Sequence, residues 1–275
     1  MAGRMIRSGG GTGMGWVRLL QGEAGRWAAC GIDLIYPPRC PICRREPSDR
    51  VDAGSRAAEP VTPSTAAAVC GTCERELSAD MGRCLRCGEA GGPADGCRRC
   101  PQRPHAWRHI AILSSYGGGL REAVLRAKRP ASDGVAAALA ALLVGKHRES
   151  LRSWEVGRVV PVPMHWLRRS IRGTSAADEL ASRIALLLGL PSSRVLTRRR
   201  ATRMQNELPI QDRPLNVQGA FRGRRRLDGE RILLVDDVVT TGATLSACCQ
   251  ALMAAGAASV DVAVVARADR SNADA

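Results

Sequence analysis

Aromatic residues are scarce in this chain: one Phe, two Tyr and five Trp make up 3% of its 275 residues. That scarcity excludes a core built on stacked rings and leaves aliphatic and alanine packing to carry it. It also argues against extensive stacking of nucleic-acid bases. Lysine is nearly missing too. Lys128 and Lys146 are the only two, so the formal net charge of +15 is an arginine charge. No run of about 18 apolar residues occurs, so no transmembrane helix is expected. The basic N-terminus leads into a glycine-rich stretch, Gly9 to Gly15, rather than the apolar core of a signal peptide. These absences point to a cytoplasmic, reducing location, where paired cysteines read as metal ligands rather than disulfides.

What is present divides near residue 104. Before it, 15 Lys+Arg face 11 Asp+Glu; after it, 26 face 15. The excess positive charge therefore lies mostly in the second part. A basic surface suits polyanions such as nucleic acid, phosphorylated ligands or anionic lipid. An Arg- and Ala-rich composition reflects genome base composition equally well, so charge alone selects no partner.

Texture gives the organisation. Residues 1–15 read as a flexible tail, and Trp16 to Tyr36 as a short amphipathic helix stopped by Pro37-Pro38. Residues 1–29 form this leading segment, 30–104 a cysteine-rich module, and 105–275 an α/β domain. Within the module, Glu46 to Ala68 is rich in Ala, Ser, Pro, Asp and Arg and reads as a disordered insertion. From Ile110 strands and helices alternate. Strands are expected at Ile110–Tyr116, Arg158–Pro163, Arg194–Leu196, Ile232–Val235 and Ser259–Ala266. Helices are expected at Leu120–Lys128, Val135–Lys146, Ala176–Leu190 and Ala243–Ala255, with a turn at Gly117–Gly119. This alternation implies a three-layer, mostly parallel sheet.

The knuckle Cys-x-x-Cys occurs four times, at Cys40/Cys43, Cys70/Cys73, Cys84/Cys87 and Cys97/Cys100. Two knuckles supply the four soft ligands of a tetrahedral Zn²⁺. Sequential pairing predicts two structural zinc ribbons, the first spread by the insertion and the second compact. A redox role for one knuckle needs no fourfold repetition, and an iron–sulfur cluster is the lesser alternative. Cys248 and Cys249 lie mid-helix and read as core packing.

The stretch from Ile232 to Leu245, ILLVDDVVTTGATL, carries the most chemistry. Four apolar residues form a buried parallel strand with Asp236 and Asp237 at its C-terminal end, where open α/β sheets bind ligands. Thr240, Thr241, Gly242, Ala243 and Thr244 then open a helix whose N–H groups and hydroxyls suit a phosphate. The two carboxylates repel phosphate but suit the 2′- and 3′-hydroxyls of a ribose. A phosphorylated ribose 5-phosphate satisfies strand, acids and loop together.

This stretch resembles the signature of type I phosphoribosyltransferases. With the double zinc ribbon, the chain resembles the ComF (ComFC/GntX-like) family over about residues 30–267. Val159 to Pro163, Lys128, and the series Gln205, Leu208, Arg213 and Asn216 to Phe221 carry the rest of the likeness. It departs at Thr174-Ser175-Ala176 and at Arg129, where the family has a different loop and an aromatic. The resemblance implies binding of phosphoribosyl pyrophosphate with Mg²⁺, and an accessory role in natural competence with single-stranded DNA and a helicase-like partner. Arg168, Arg169 and Arg172 are candidates for the pyrophosphate side. A transferase acting on an unknown base or amine, and a ligand-sensing regulator, stand as alternatives. Arg198 to Arg200, Arg203 and Arg224 to Arg226 are candidate nucleic-acid contacts, with a solvated basic face as the favoured reading.

Overall fold

A computed structural model describes residues 39–46, 69–79, 82–92, 97, 98, 100, 105–129, 133–164, 175–199 and 217–269. The leading helix, the insertion beyond Glu46, Arg168, Arg169, Arg172, Arg200, Arg203 and the segment from Gln205 to Asn216 lie outside them. The elements are α1 (Gly71–Ser78), β1 (Ile110–Ser115), α2 (Gly118–Ala127), α3 (Asp133–Lys146), α4 (Arg148–Ser153) and β2 (Arg158–Pro161). They continue with α5 (Ala176–Leu188), β3 (Leu196–Arg198), β4 (Phe221–Gly223), β5 (Arg231–Val239), α6 (Ala243–Ala254) and β6 (Ser259–Arg267).

Four strands make one parallel sheet in the order β1-β6-β5-β2. Parallel strands covered on both faces read as near-continuous apolar runs, which is why β1 and β6 are buried along almost their whole length. Side chains alternate between two cores. Leu113, Leu233, Val235, Ala263 and Val265 face α2, α3 and α5. Ile112, Val160, Leu234, Val262 and Val264 face α6 and the β3–β4 pair. Helix α3 is made almost entirely of Ala, Leu and Val and lies buried along most of its length. Helix α5 ends at Gly189, whose φ of +67° closes it in the left-handed conformation.

Some elements differ from the sequence reading. Residues Gly118 and Gly119 start α2 instead of forming a turn, with Gly117 as its extended cap. Strand β3 falls at Leu196–Arg198 rather than Arg194–Leu196, because its antiparallel partner β4 fixes the register. Strand β5 runs on to Val239, so Asp236 and Asp237 lie inside it. Pairing of Asp236 with Val264 and of Val238 with Ala266 prolongs it.

The cysteine-rich part is built into this fold. Cys40, Ile42, Cys73 and Leu77 belong to the same buried cluster as Leu113, Leu139 and Val235. The Arg126 guanidinium on α2 donates to the carbonyls of Pro41, at 2.7 Å, and Ile42.

Candidate functional site

The cysteines gather as their spacing predicts. Cys40, Cys43, Cys70 and Cys73 form one tetrad, and Cys84, Cys87, Cys97 and Cys100 the other. Sulfur–sulfur distances are 3.7 Å for Cys43–Cys70, 3.5 Å for Cys84–Cys100, 3.3 Å for Cys87–Cys97 and 3.8 Å for Cys97–Cys100. A disulfide needs about 2.05 Å. Four thiolates at the Zn–S length of about 2.3 Å stand roughly 3.8 Å apart along a tetrahedron edge, so each tetrad fits one Zn²⁺. Burial pushes the Cys73 and Cys87 thiols up, with neighbouring cysteine sulfurs adding to it. Burial also raises Cys40, but N–H groups of Cys70, Cys43 and Ile42 outweigh it and bring that thiol to about 7. A dication is what offsets so many crowded, buried thiolates. Cys248 and Cys249 are fully buried on α6, as core packing requires.

The second tetrad packs along β1 and reaches the C-terminal ends of β1 and β6. Arg83, whose side chain is 3% exposed, pairs with Asp269 at 2.8 Å and donates to Ser115 Oγ at 2.6 Å and the Gly88 carbonyl at 2.8 Å. Arg267, at the end of β6, donates to the Cys87 carbonyl at 2.8 Å. The Ile110 N–H donates to the Leu85 carbonyl at 2.6 Å. Gly88 has φ of +76° and lies so close to the sheet that a Cβ would meet Ile112 Cδ1 at 2.4 Å. None of these ties was visible in the sequence.

The phosphate-type loop opens beside these strand ends. After β5, Thr240 is half-buried and Thr241 exposed; Gly242 caps α6 with φ of +79°. Only glycine adopts that backbone freely. The Thr241 hydroxyl accepts from the Ala243 N–H at 3.4 Å, and the helix proper begins with Ser246 N–H to Gly242 carbonyl at 2.8 Å. Ala243 and Thr244 are half-buried in the first turn. This puts the positive end of a twelve-residue helix at the strand's exit.

Strand alternation turns Asp236 and Asp237 to opposite faces. Asp237 meets Lys128, just past α2, with Oδ2 3.0 Å from Nζ. Asp236 accepts the Asp237 N–H at 2.9 Å. Burial, then the charge of Asp237, holds the Asp236 carboxyl well above the usual range. On the other flank, Val162 donates to the Val235 carbonyl at 2.9 Å, which brings the strand-to-loop stretch of Pro161 to Met164 alongside the acids. Sequence reasoning found Lys128 through resemblance but not its ion pair. It also missed Trp107, a buried indole set against Gly242. A tryptophan in so aromatic-poor a chain was the available signal.

Arg198 is half-buried, its guanidinium 5.4 Å from the centre of the Phe221 ring. Arg222, Arg224, Arg225 and Arg226 do face solvent. They line a groove of about 590 Å³ between β4 and the end of α6. No helix among the described residues is long and apolar enough to cross a membrane.

A parallel sheet with a strand–acid–loop–helix junction and two four-cysteine tetrads defines a phosphoribosyltransferase-type domain joined to two tetrads that fit zinc ribbons. A family model described as the phosphoribosyl transferase domain matches residues 172–274. DNA utilization protein YhgH of Salmonella typhi is 36% identical over 199 residues, covering 70% of this chain and 88% of that protein. Its counterpart in Escherichia coli K12 is 31% identical over the same shares. Competence protein F of Haemophilus influenzae is 28% identical over 208 residues, covering 73% and 90%. The chain belongs to this ComF family of competence and DNA utilization proteins.

Proposed function

We propose that this protein binds phosphoribosyl pyrophosphate, or a closely related phosphorylated ribose, and uses that site in handling DNA. The observation that carries the reading is the junction itself. Asp236 and Asp237 lie beside a Gly242-capped helix N-terminus, with Lys128 within reach. Thr240 to Thr244 would hold the 5-phosphate through N–H groups and hydroxyls. The two acids would take the ribose hydroxyls, Asp237 from a partly exposed position. Lys128 would leave Asp237 for the ligand's phosphates, exchanging one anion for a denser one. Arg168, Arg169 and Arg172 are the candidates for the pyrophosphate, which would arrive with Mg²⁺ bound.

The DNA role rests on family membership together with the groove of Arg222, Arg224, Arg225 and Arg226. Of these four, Arg225 pairs with Glu230 at 2.8 Å and Arg226 lies 3.9 Å from Asp228. A single strand would be held by its phosphates, with affinity falling steeply as salt rises.

Isothermal titration of the zinc-loaded protein with phosphoribosyl pyrophosphate and Mg²⁺ tests the site. Asp236→Asn with Asp237→Asn should weaken binding at least about tenfold, since each hydrogen bond to a charged group contributes about 1.5–3 kcal/mol. Equal binding by that variant would sink the assignment. A screen for pyrophosphate release over nucleobases decides turnover. If binding is lost while the host still uses DNA as well as before, the site serves another purpose.

A further inference from the structure

Trp107 touches both halves of the molecule. It is 6% exposed and lies in the stretch that joins the second tetrad to β1. Its indole Nε1–H donates to the Arg86 carbonyl at 3.0 Å. Arg86 is inside the Cys84/Cys87 knuckle, so this bond grips the metal turn itself. The other edge of the same indole lies on the phosphate-type loop. A Cβ at Gly242 would stand 2.9 Å from Trp107 Cη2, 3.6 Å from Cζ3 and 3.9 Å from Cζ2. The ring of His105 stacks on it at 4.5 Å between centroids, with 17° between planes.

Gly242 therefore answers two demands. Its φ of +79° turns the chain into α6, and its bare Cα makes the seat for the indole. The knuckle at the other end is not free to drift while its four sulfurs share an ion. Arg267 holds the Cys87 carbonyl, and Gly88 is pressed onto Ile112. With the ion gone, the four sulfurs of the tetrad no longer share a common ligand that fixes their separation. The turn between Cys84 and Cys87 then loses the geometry that aims the Arg86 carbonyl at the indole.

We infer that Trp107 is a positioning residue that ties the second cysteine tetrad to the phosphate-type loop, so that metal occupancy of that tetrad sets how well the loop is formed. The inference deepens the phosphoribosyl reading and rests on it for the ligand, but the tie is a property of the chain alone. It makes the second tetrad part of the ligand site: a chain stripped of that metal binds phosphorylated ribose weakly although Asp236, Asp237 and the loop residues are unchanged.

Two measurements on the full chain test it separately. In the first, amide exchange over 240–244 is followed without ligand in the zinc-loaded parent, in Cys97→Ser/Cys100→Ser, and in Trp107→Phe. The serine variant removes two ligands but leaves the Cys84/Cys87 knuckle intact. Phe keeps a ring against Gly242 and removes the N–H. Faster exchange at 240–244 in both variants is expected, with zinc content at two per chain in Trp107→Phe. Unchanged exchange in the serine variant after confirmed loss of one zinc would overturn the tie. In the second, calorimetry with phosphoribosyl pyrophosphate and Mg²⁺ should show Trp107→Phe binding about threefold to tenfold more weakly, the loss of one hydrogen bond. Parent-like affinity there would also overturn it. A parent that binds no phosphoribosyl pyrophosphate, yet whose loop amides still respond to zinc, upholds the tie and removes the ligand reading instead.

Discussion

The two cysteine tetrads share ligands and knuckle spacing, yet they are fastened to the sheet in different ways. The first is held mainly by apolar burial, with Arg126 as its polar tie: Cys40 and Cys73 pack with Ile42 and Leu77 into the cluster shared with α2 and α3. The second is held by directed polar bonds, Arg83 to Asp269 and Ser115, Arg267 to Cys87, and Trp107 to Arg86. Apolar packing is non-directional and adds stability wherever area is removed from water. Hydrogen bonds and buried ion pairs fix position and are costly to break singly. The first tetrad thus completes a core, and the second places an edge.

Breaking the first attachment should have the largest effect. Cys40→Ser removes a ligand from inside the shared core. Zinc binding at such sites contributes roughly 10–16 kcal/mol, against a total domain stability of about 5–15 kcal/mol. We expect one zinc per chain by metal analysis and loss of the cooperative melt. A parent-like melting curve would show that the first tetrad is an appendage.

The second attachment should fail more locally. Arg83→Met leaves Asp269 beside a deprived site, and removing one partner of a buried pair costs about 3–5 kcal/mol. Proteolysis should then nick residues 82–100 before the sheet opens. Acid should do the same to the parent. Burial raises the Asp269 carboxyl, but the bonds from Arg83 and Ser115 outweigh it and set it below the usual range. Its contribution is therefore present above the unfolded value of about 3.9 and is lost as pH falls through the folded value. A melting temperature flat from pH 5 to pH 3 in the parent, or equally steep in Asp269→Asn, would contradict this.

Asp236 should show the opposite slope near the end of β5. Its folded carboxyl is raised, so its contribution is greatest below about pH 3.9 and declines as pH rises through the folded value. Asp236→Asn should flatten that decline and melt at or above the parent at neutral pH, by about 2–4 °C for each kcal/mol relieved. A lower melting temperature at pH 7 would show that ionised Asp236 is stabilising. Least should happen on deleting residues 47–68, which separate the knuckles of the first tetrad. Two zinc ions and a melting temperature within about 1 °C of the parent are expected, since shortening a loop changes its closure entropy only logarithmically.

The legible parts of the molecule were those whose cause is local. Val159-Val160, Ile232 to Val235 and Val262 to Val265 read as strands because burial on both faces demands continuous apolar residues. The tetrads were legible because a two-residue gap is itself a ligand geometry. The turn at Gly242 was legible because a strand passing directly into a helix needs a glycine at positive φ. Short elements escaped: α4 buries only Leu151 and β4 only Phe221, too few residues to make a period. Ties between distant residues escaped as well. Arg83 and Asp269 are 186 positions apart, and no pattern along the chain pairs them. The placement of Asp236 and Asp237 within β5 was also hidden, since it depends on how far β6 runs alongside.

Cys40, Cys73 and the helices against the sheet share one apolar cluster across the compositional border. A fragment starting near residue 105 would carry its fold instructions intact and still present bare flanks of α2 and α3 where Ile42 and Leu77 should rest. Such a fragment should crave a surrogate partner or precipitate. What composition marks as two modules meets in one apolar cluster, and recombining either with a foreign counterpart should require that seam to be redesigned with it.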